Sequence, residues 1–160
     1  MFKKFKPDYE FTTSYDIDYE KLYQDGIRGV IFDIDNTLVA HDAPSNDKSD
    51  MLIDRLNEMG MQVFLLSNND EDRVKLFMKD RNMNYIHKAG KPKTANYIKA
   101  LEIMGLEKEE VVAVGDQLLT DCMGAKNFGI TFYKVGILDS NEPIHIRFKR
   151  GVEKIIEIFT

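Results

Sequence analysis

The sequence is short of cysteine. Cys122 is its one thiol, so no internal disulfide can form, and a reducing, cytoplasmic compartment is the expectation. With no partner evident for it, Cys122 reads as a small buried side chain rather than a nucleophile. Long apolar runs are also missing. None approaches the roughly 18 residues that a membrane-spanning helix requires, and the opening MFKKFKPDYEF lacks the apolar stretch of a secretory signal. There is no surplus of positive charge either: the net charge of −5 takes wholesale nucleic-acid binding out of first place. No internal repeat or low-complexity tract is present. What remains is the composition of a globular protein, 43% hydrophobic and 31% charged over 160 residues, enough for one domain with a real core.

Apolar runs alternate with segments of helical period. GVIFD (29–33), MQVFLLS (61–67), MNYIHK (83–88), EVVAVGD (110–116) and ITFYKVG (130–136) read as strands. Helices are predicted over 50–60, 70–82, 92–105, 120–129 and 151–159. The second of these has acids in its first turn and bases later, as the helix dipole favours. This order calls for a mainly parallel sheet of about five strands between two helical layers, a Rossmann-like α/β/α sandwich. Continuous hydrophobicity in VFLL and VVAV fits strands buried on both faces. The whole of 1–160 is expected to be one domain, with the aromatic and charged residues 1–28 as an extension packed on the core.

The polar residues of interest fall where these strands end. In an open α/β sheet, ligands bind at the carboxyl ends of the strands. The first strand runs into Asp33 and Asp35, the second into Ser67 and Asn68, and the fourth into Gly115 and Asp116, with Asp121 five residues on. Lys91 and Pro92 follow the third. Buried carboxylates are costly unless something offsets their charge. Asp33 and Asp116 are hard oxygen donors of the kind Mg²⁺ takes alongside water and phosphate oxygens. Ser67, just before a helix, can hold phosphate oxygens together with backbone N–H groups. Lys91 can neutralise phosphate charge or pair with a carboxylate.

DIDNT (33–37), SN (67–68), KP (91–92) and GDQLLTD (115–121) together resemble, in order, the four motifs of the haloacid dehalogenase (HAD) phosphatases. The similarity covers residue 29 to about 135. It implies a phosphomonoester hydrolase in which Asp33 is the nucleophile that forms an aspartyl-phosphate. Asp35 would protonate the leaving oxygen and then activate water. Mg²⁺ would be held by Asp33, by Asp116 and by the backbone carbonyl of Asp35. Lys91 would shield the repulsion between carboxylate and phosphate, and Asp121 would stand close behind the metal. The gaps from Asp35 to Ser67 and from Ser67 to Lys91 leave no room for a large cap domain. YDIDYEKLYQDGIRGVIFDIDNTLV (15–39) and IRFKRGVEKI (146–155) are also similar to the YqeG-type subgroup, related to phosphatidylglycerophosphate phosphatases. That similarity implies an anionic phospholipid head group as substrate and peripheral contact with a membrane surface.

Blander readings compete at several positions. The string from Ser67 to Asp70 is also an ordinary helix N-cap, and Ser67 is expected to serve both as cap and as phosphate ligand. Lys88 competes with Lys91 for the phosphate. Asn68 and Thr37 are candidates either for binding phosphate or for holding a loop. FKKFK (2–6) and RFKR (147–150) are solvated surface or a lipid-facing rim. His41, His87 and His145 lack metal-ligand spacing and read as surface or packing residues. The loop AHDAPSNDKS (40–49) is the expected local gate. Alternatives to the lipid phosphatase are a phosphatase of another soluble or macromolecular phosphate, a phospho-aspartate switch, and a binding protein on the same fold. Oligomerisation is left open.

Overall fold

The computed structural model describes residues 2–138 together with Val152, Glu153 and Ile156. The helix expected over 151–159 falls largely outside those residues, as do RFKR (147–150) and His145. Six strands form one sheet: β1 (Tyr9–Phe11), β2 (Gly29–Phe32), β3 (Gln62–Leu66), β4 (Asn84–Ile86), β5 (Val111–Gly115) and β6 (Thr131–Val135). They are ordered β1-β6-β5-β2-β3-β4, and every pair is parallel. The helices are α1 (Tyr19–Gln24), α2 (Asp47–Glu58), α3 (Glu71–Met78), α4 (Ala95–Met104) and α5 (Met123–Phe128). Two apolar clusters lie on opposite faces of the sheet. One joins Val30, Phe32 and Leu65 to Leu52, Leu56, Val74 and Phe77. The other joins Ile31, Phe64 and Ala113 to Tyr97, Leu101, Ala125 and Phe128. Adjacent residues of β2 thus face different layers, as the two-residue period of a strand requires, and all four are buried.

The strand order reverses at β2. The chain runs from β2 through β3 to β4 on one side, then returns to place β5 and β6 on the other. Such a reversal opens a crevice at the carboxyl ends of the strands that flank it. Register makes this edge even: Phe32 lies opposite Leu65 and opposite Val114. The next residue of each strand, Asp33, Leu66 and Gly115, therefore emerges at one level. The Asp33 N–H still donates to the Val114 carbonyl, at 3.0 Å, so the ladder extends one residue past β2. One loop and α2 fill the gap between β2 and β3, and α3 fills that between β3 and β4, with no cap domain in either.

The N-terminal residues do more than pack on the core. Tyr9–Phe11 pair with Tyr133–Val135 and add a sixth strand at the edge. Asp8 fixes that edge by accepting from the Phe132 N–H at 2.8 Å. The next turn braces the loop that follows Asp35. Ser14, fully buried, donates its hydroxyl to the Thr37 carbonyl at 2.7 Å. Tyr15 donates to the Leu38 carbonyl at 2.6 Å, and Tyr19 donates to the Ser14 carbonyl at 2.6 Å. Helix bounds also move. α2 starts at Asp47 because Asn46 caps it, accepting from the Ser49 N–H while Ser49 answers the Asn46 N–H. The cap of α3 is Asp70, which accepts from the Arg73 N–H, and not Ser67.

Ser14→Ala removes the donor to a buried carbonyl, which costs about 1–3 kcal/mol. Urea unfolding should show the unfolding free energy falling by that amount, through a lower midpoint at an unchanged slope; an unaltered midpoint would mean that the brace is dispensable.

Candidate active site

Lys91 is the centre of the strand-end cluster. Its side chain is 4% exposed, and its ammonium has three acceptors: the Leu66 carbonyl at 2.7 Å, Asp121 Oδ1 at 2.6 Å and Asp33 Oδ1 at 3.2 Å. An ammonium carries three protons, so all are used. Burial by itself would lower the Lys91 pKa, but the Asp121 and Asp33 carboxylates outweigh it and hold the group raised and charged. Asp33 is pushed up to about 6, chiefly by burial and then by the negative charge of Asp121, with Lys91 pulling the other way. Lys88, the competing lysine, is exposed on the neighbouring turn.

Backbone contacts set the positions of these groups. The Asn68 side chain accepts from the Lys91 N–H at 2.9 Å and donates to the Lys91 carbonyl at 3.1 Å. Asn68 thus holds the lysine's backbone. Ser67 is fully buried, and its hydroxyl accepts from the Asn69 N–H at 3.1 Å. Thr37, also buried, donates to Asp116 Oδ1 at 3.4 Å. Asp121 sits on a π-helical turn, Leu118–Cys122, that runs into α5. Its Oδ2 accepts from the Gln117 N–H at 3.1 Å. Glycine at 115 is required by this approach, since a Cβ there would lie 2.5 Å from Asp121 Oδ2.

One carboxylate oxygen each from Asp33, Asp116 and Asp121 lies within 4.8 Å of the others. Three carboxylates facing a single ammonium leave excess negative charge in a largely buried space, and the donors are all oxygen. That combination fits a hard divalent cation. Asp121 thus stands beside Asp33 and Asp116 in one acidic cluster.

The side chain of Asp35 belongs to a different group. Its Oδ1 accepts from Arg73 Nη2 at 2.8 Å, Arg73 Nε at 3.1 Å and the Asp42 N–H at 2.8 Å. Its Oδ2 accepts from Asn69 Nδ2 at 2.6 Å. His41 Nδ1 lies 3.9 Å from Asp35 Oδ1, and His41 Nε2 lies 3.2 Å from Asp42 Oδ2. Asp33, Asp35, Asn68, Lys91 and Asp121 line a cleft of about 270 Å³, and so do His41, Asp42, Asn69, Gln117 and Thr120.

A description of the haloacid dehalogenase-like hydrolases matches residues 40–129. A Bacillus subtilis (strain 168) protein described as the probable phosphatase YqeG is 39% identical over 98% of this chain and 92% of its own length. The chain belongs to the haloacid dehalogenase-like hydrolases. Within that family it is a phosphatase, a phosphoric monoester hydrolase. An acid sugar phosphatase of Staphylococcus aureus (strain USA300) is 38% identical over 77 residues, 43% of this chain and 30% of that protein. Among solved structures, the cobalt-bound deoxy-D-mannose-octulosonate 8-phosphate phosphatase of Haemophilus influenzae superposes with a TM-score of 0.59 at 19% identity. It covers 85% of this chain and 89% of its own. A Listeria monocytogenes protein superposes with a TM-score of 0.57 at 18% identity, covering 73% and 85%. These two likenesses bear on the fold.

The strand-end residues of the four HAD motifs thus meet at one edge of the sheet. Sequence reading missed Arg73, Asn69, Gln117 and Thr120, and it took His41 for a surface or packing residue. Arg73 carried a signal: a cation in the first turn of a helix opposes the helix dipole, so its place there calls for another reason.

Lys91→Met leaves the buried carboxylates without their cation, a change that typically costs about 3–5 kcal/mol. Denaturation of the variant in chelator should show that loss, and added Mg²⁺ should recover more stability in the variant than in the wild type. Equal stability of the two proteins in chelator would contradict the central place given to Lys91.

Proposed function

We propose that the chain is a Mg²⁺-dependent phosphomonoesterase working through an aspartyl-phosphate on Asp33. The observation that carries this reading is the Asp33–Lys91–Asp121 arrangement beside Asp116, opening onto a cleft that Asp35 also lines. Asp33, Asp116, Asp121 and the Asp35 carbonyl are the groups that would hold the ion. When bound, it supplies positive charge that offsets the phosphate and the carboxylates together.

The rest is the work of the chain's own residues. An Asp33 carboxylate oxygen attacks phosphorus, and the bond from phosphorus to the ester oxygen breaks. The leaving oxygen takes its proton from Asp35. Water then attacks the phosphorus of phospho-Asp33, giving its proton to Asp35. Inorganic phosphate leaves, and both carboxyl groups return to their starting state. Lys91 keeps positive charge beside Asp33 throughout. Asn68 holds the Lys91 backbone and Thr37 donates to Asp116; these two and Ser67 are the groups proposed to meet the phosphate oxygens.

For the substrate, we favour a phosphate on an anionic phospholipid head group, phosphatidylglycerophosphate being the case that the YqeG-type similarity suggests. One observation supports it. The exposed Lys3, Lys4 and Lys6 lie on or beside an N-terminal 3-10 turn that packs against the 118–122 turn carrying Thr120 and Asp121. Among the described residues, no helix is long and apolar enough to cross a membrane, so contact of this kind would be peripheral.

Asp33→Asn should reduce Mg²⁺-dependent hydrolysis of p-nitrophenyl phosphate to background while leaving the fold intact; undiminished turnover would sink the mechanism. A screen of sugar phosphates and nucleotides beside phosphatidylglycerophosphate in detergent decides the substrate. A preference for a soluble phosphate by orders of magnitude would remove the lipid reading and leave the chemistry standing.

A further inference from the structure

Arg73 stands at the third position of α3, behind Glu71 and Asp72. Its side chain is 7% exposed. A guanidinium buried at a helix N-terminus is doubly unfavourable, through lost hydration and through the dipole. Its hydrogen bonding is also incomplete, because Nη1 is buried with no hydrogen-bond partner. Buried ion pairs of this kind are often no more stabilising than apolar packing. The stability of α3 therefore does not account for Arg73.

What Arg73 does is fix a carboxylate. Nε and Nη2 both reach Asp35 Oδ1, where the Asp42 N–H also donates, while the Asn69 amide donates to Oδ2. Three residues from two stretches of chain, Asp42 on one and Asn69 and Arg73 on the other, thus claim both oxygens. An aspartate side chain has two rotatable bonds, and this clamp leaves neither free. We infer that Arg73 is the positioning residue for the acid–base step, with Asn69 as its counterpart on the other oxygen. The inference rests on the role proposed for Asp35. General acid–base transfer needs the carboxyl group within hydrogen-bond reach of the leaving oxygen and then of water, and a misplacement of about 1 Å can cost about 10²-fold in rate. Lysine cannot substitute, because a point charge does not reproduce the fork.

The test compares the wild type with Asp33→Asn, Asp35→Asn, Arg73→Lys, Asn69→Ala and the double variant Arg73→Lys/Asp35→Asn, all in the full chain with Mg²⁺. Turnover of p-nitrophenyl phosphate is read beside intact-protein mass spectrometry after acid quench, which measures phospho-Asp33. For Arg73→Lys the expectation is a fall in kcat of roughly 10–100-fold with a parallel fall in KM, because hydrolysis of phospho-Asp33 becomes limiting. The phosphorylated fraction should rise, because attack by water is slowed. The double variant should be no slower than Asp35→Asn alone, since Arg73 acts through that residue. If Arg73→Lys does not fold, Asn69→Ala decides, with the same signs and a smaller loss. Normal kcat in Arg73→Lys and Asn69→Ala overturns the inference while an inactive Asp33→Asn leaves the phosphatase mechanism in place. A further loss on adding Arg73→Lys to Asp35→Asn overturns it too. If Asp33→Asn keeps wild-type activity, the mechanism and the inference fall together.

Discussion

Everything at the open edge of the sheet depends on the buried ammonium of Lys91. Its three acceptors come from the end of β2, the end of β3 and the turn after β5. Without that cation, Asp33 and Asp121 would face each other in a space where water does not screen them, and the three chain segments would repel. With it, the cluster becomes a polar tie between parallel strands, added to their ladders and their apolar contacts. The lysine in turn depends on Asn68, which holds the Lys91 backbone at both its N–H and its carbonyl. The carboxamide of one strand-end motif thus aims the ammonium of another.

Two carboxylates separated by one residue end up in different surroundings. Asp33 joins the acidic trio, where burial and like charge raise its pKa. Asp35 is surrounded by N–H donors from Arg73, Asn69 and Asp42. The chain achieves the division locally. After Asp33 it leaves the strand, and Asn36 takes a positive φ of 59° that asparagine tolerates better than most residues. The Asn36 N–H then closes onto the Val39 carbonyl at 2.7 Å. Ser14 and Tyr15 hold the far side of that turn, so the N-terminal segment forms part of what keeps the two carboxylates apart.

Much of this was legible in the sequence, for physical reasons. Continuous apolar runs such as GVIF and VVAV have few uses other than strands buried on both faces. A parallel sheet delivers its strand ends to one edge, so the polar residues after each run had to meet. The short strand Tyr9–Phe11 was not legible, because three residues of mixed character carry no periodic signal, and its pairing with β6 spans most of the chain. The clamp on Asp35 was hidden for a similar reason. Nothing local marks a hydrogen bond between residues 35 and 73, and the one hint was a cation that the helix dipole disfavours. Ser67 was assigned the α3 cap because serine and aspartate are both good caps. The helix begins three residues later, at the aspartate that can reach the Arg73 N–H.

Charge at the cleft limits what it can bind. Among the described residues lining it, Lys91 is the one lysine or arginine, against the carboxylates of Asp33, Asp35, Asp42 and Asp121. Lys91 is already committed to two of those carboxylates. A phosphate dianion entering such a space meets net repulsion unless further positive charge arrives with it, so phosphate binding and cation binding have to be coupled. Arg73 adds charge nearby through its bonds to Asp35 but does not line the cleft. Other polar side chains on the rim are Asn36, His41, Gln117 and Thr120. With no cap domain to close over the substrate, selectivity must come from that rim and from whatever surface carries the phosphate to it.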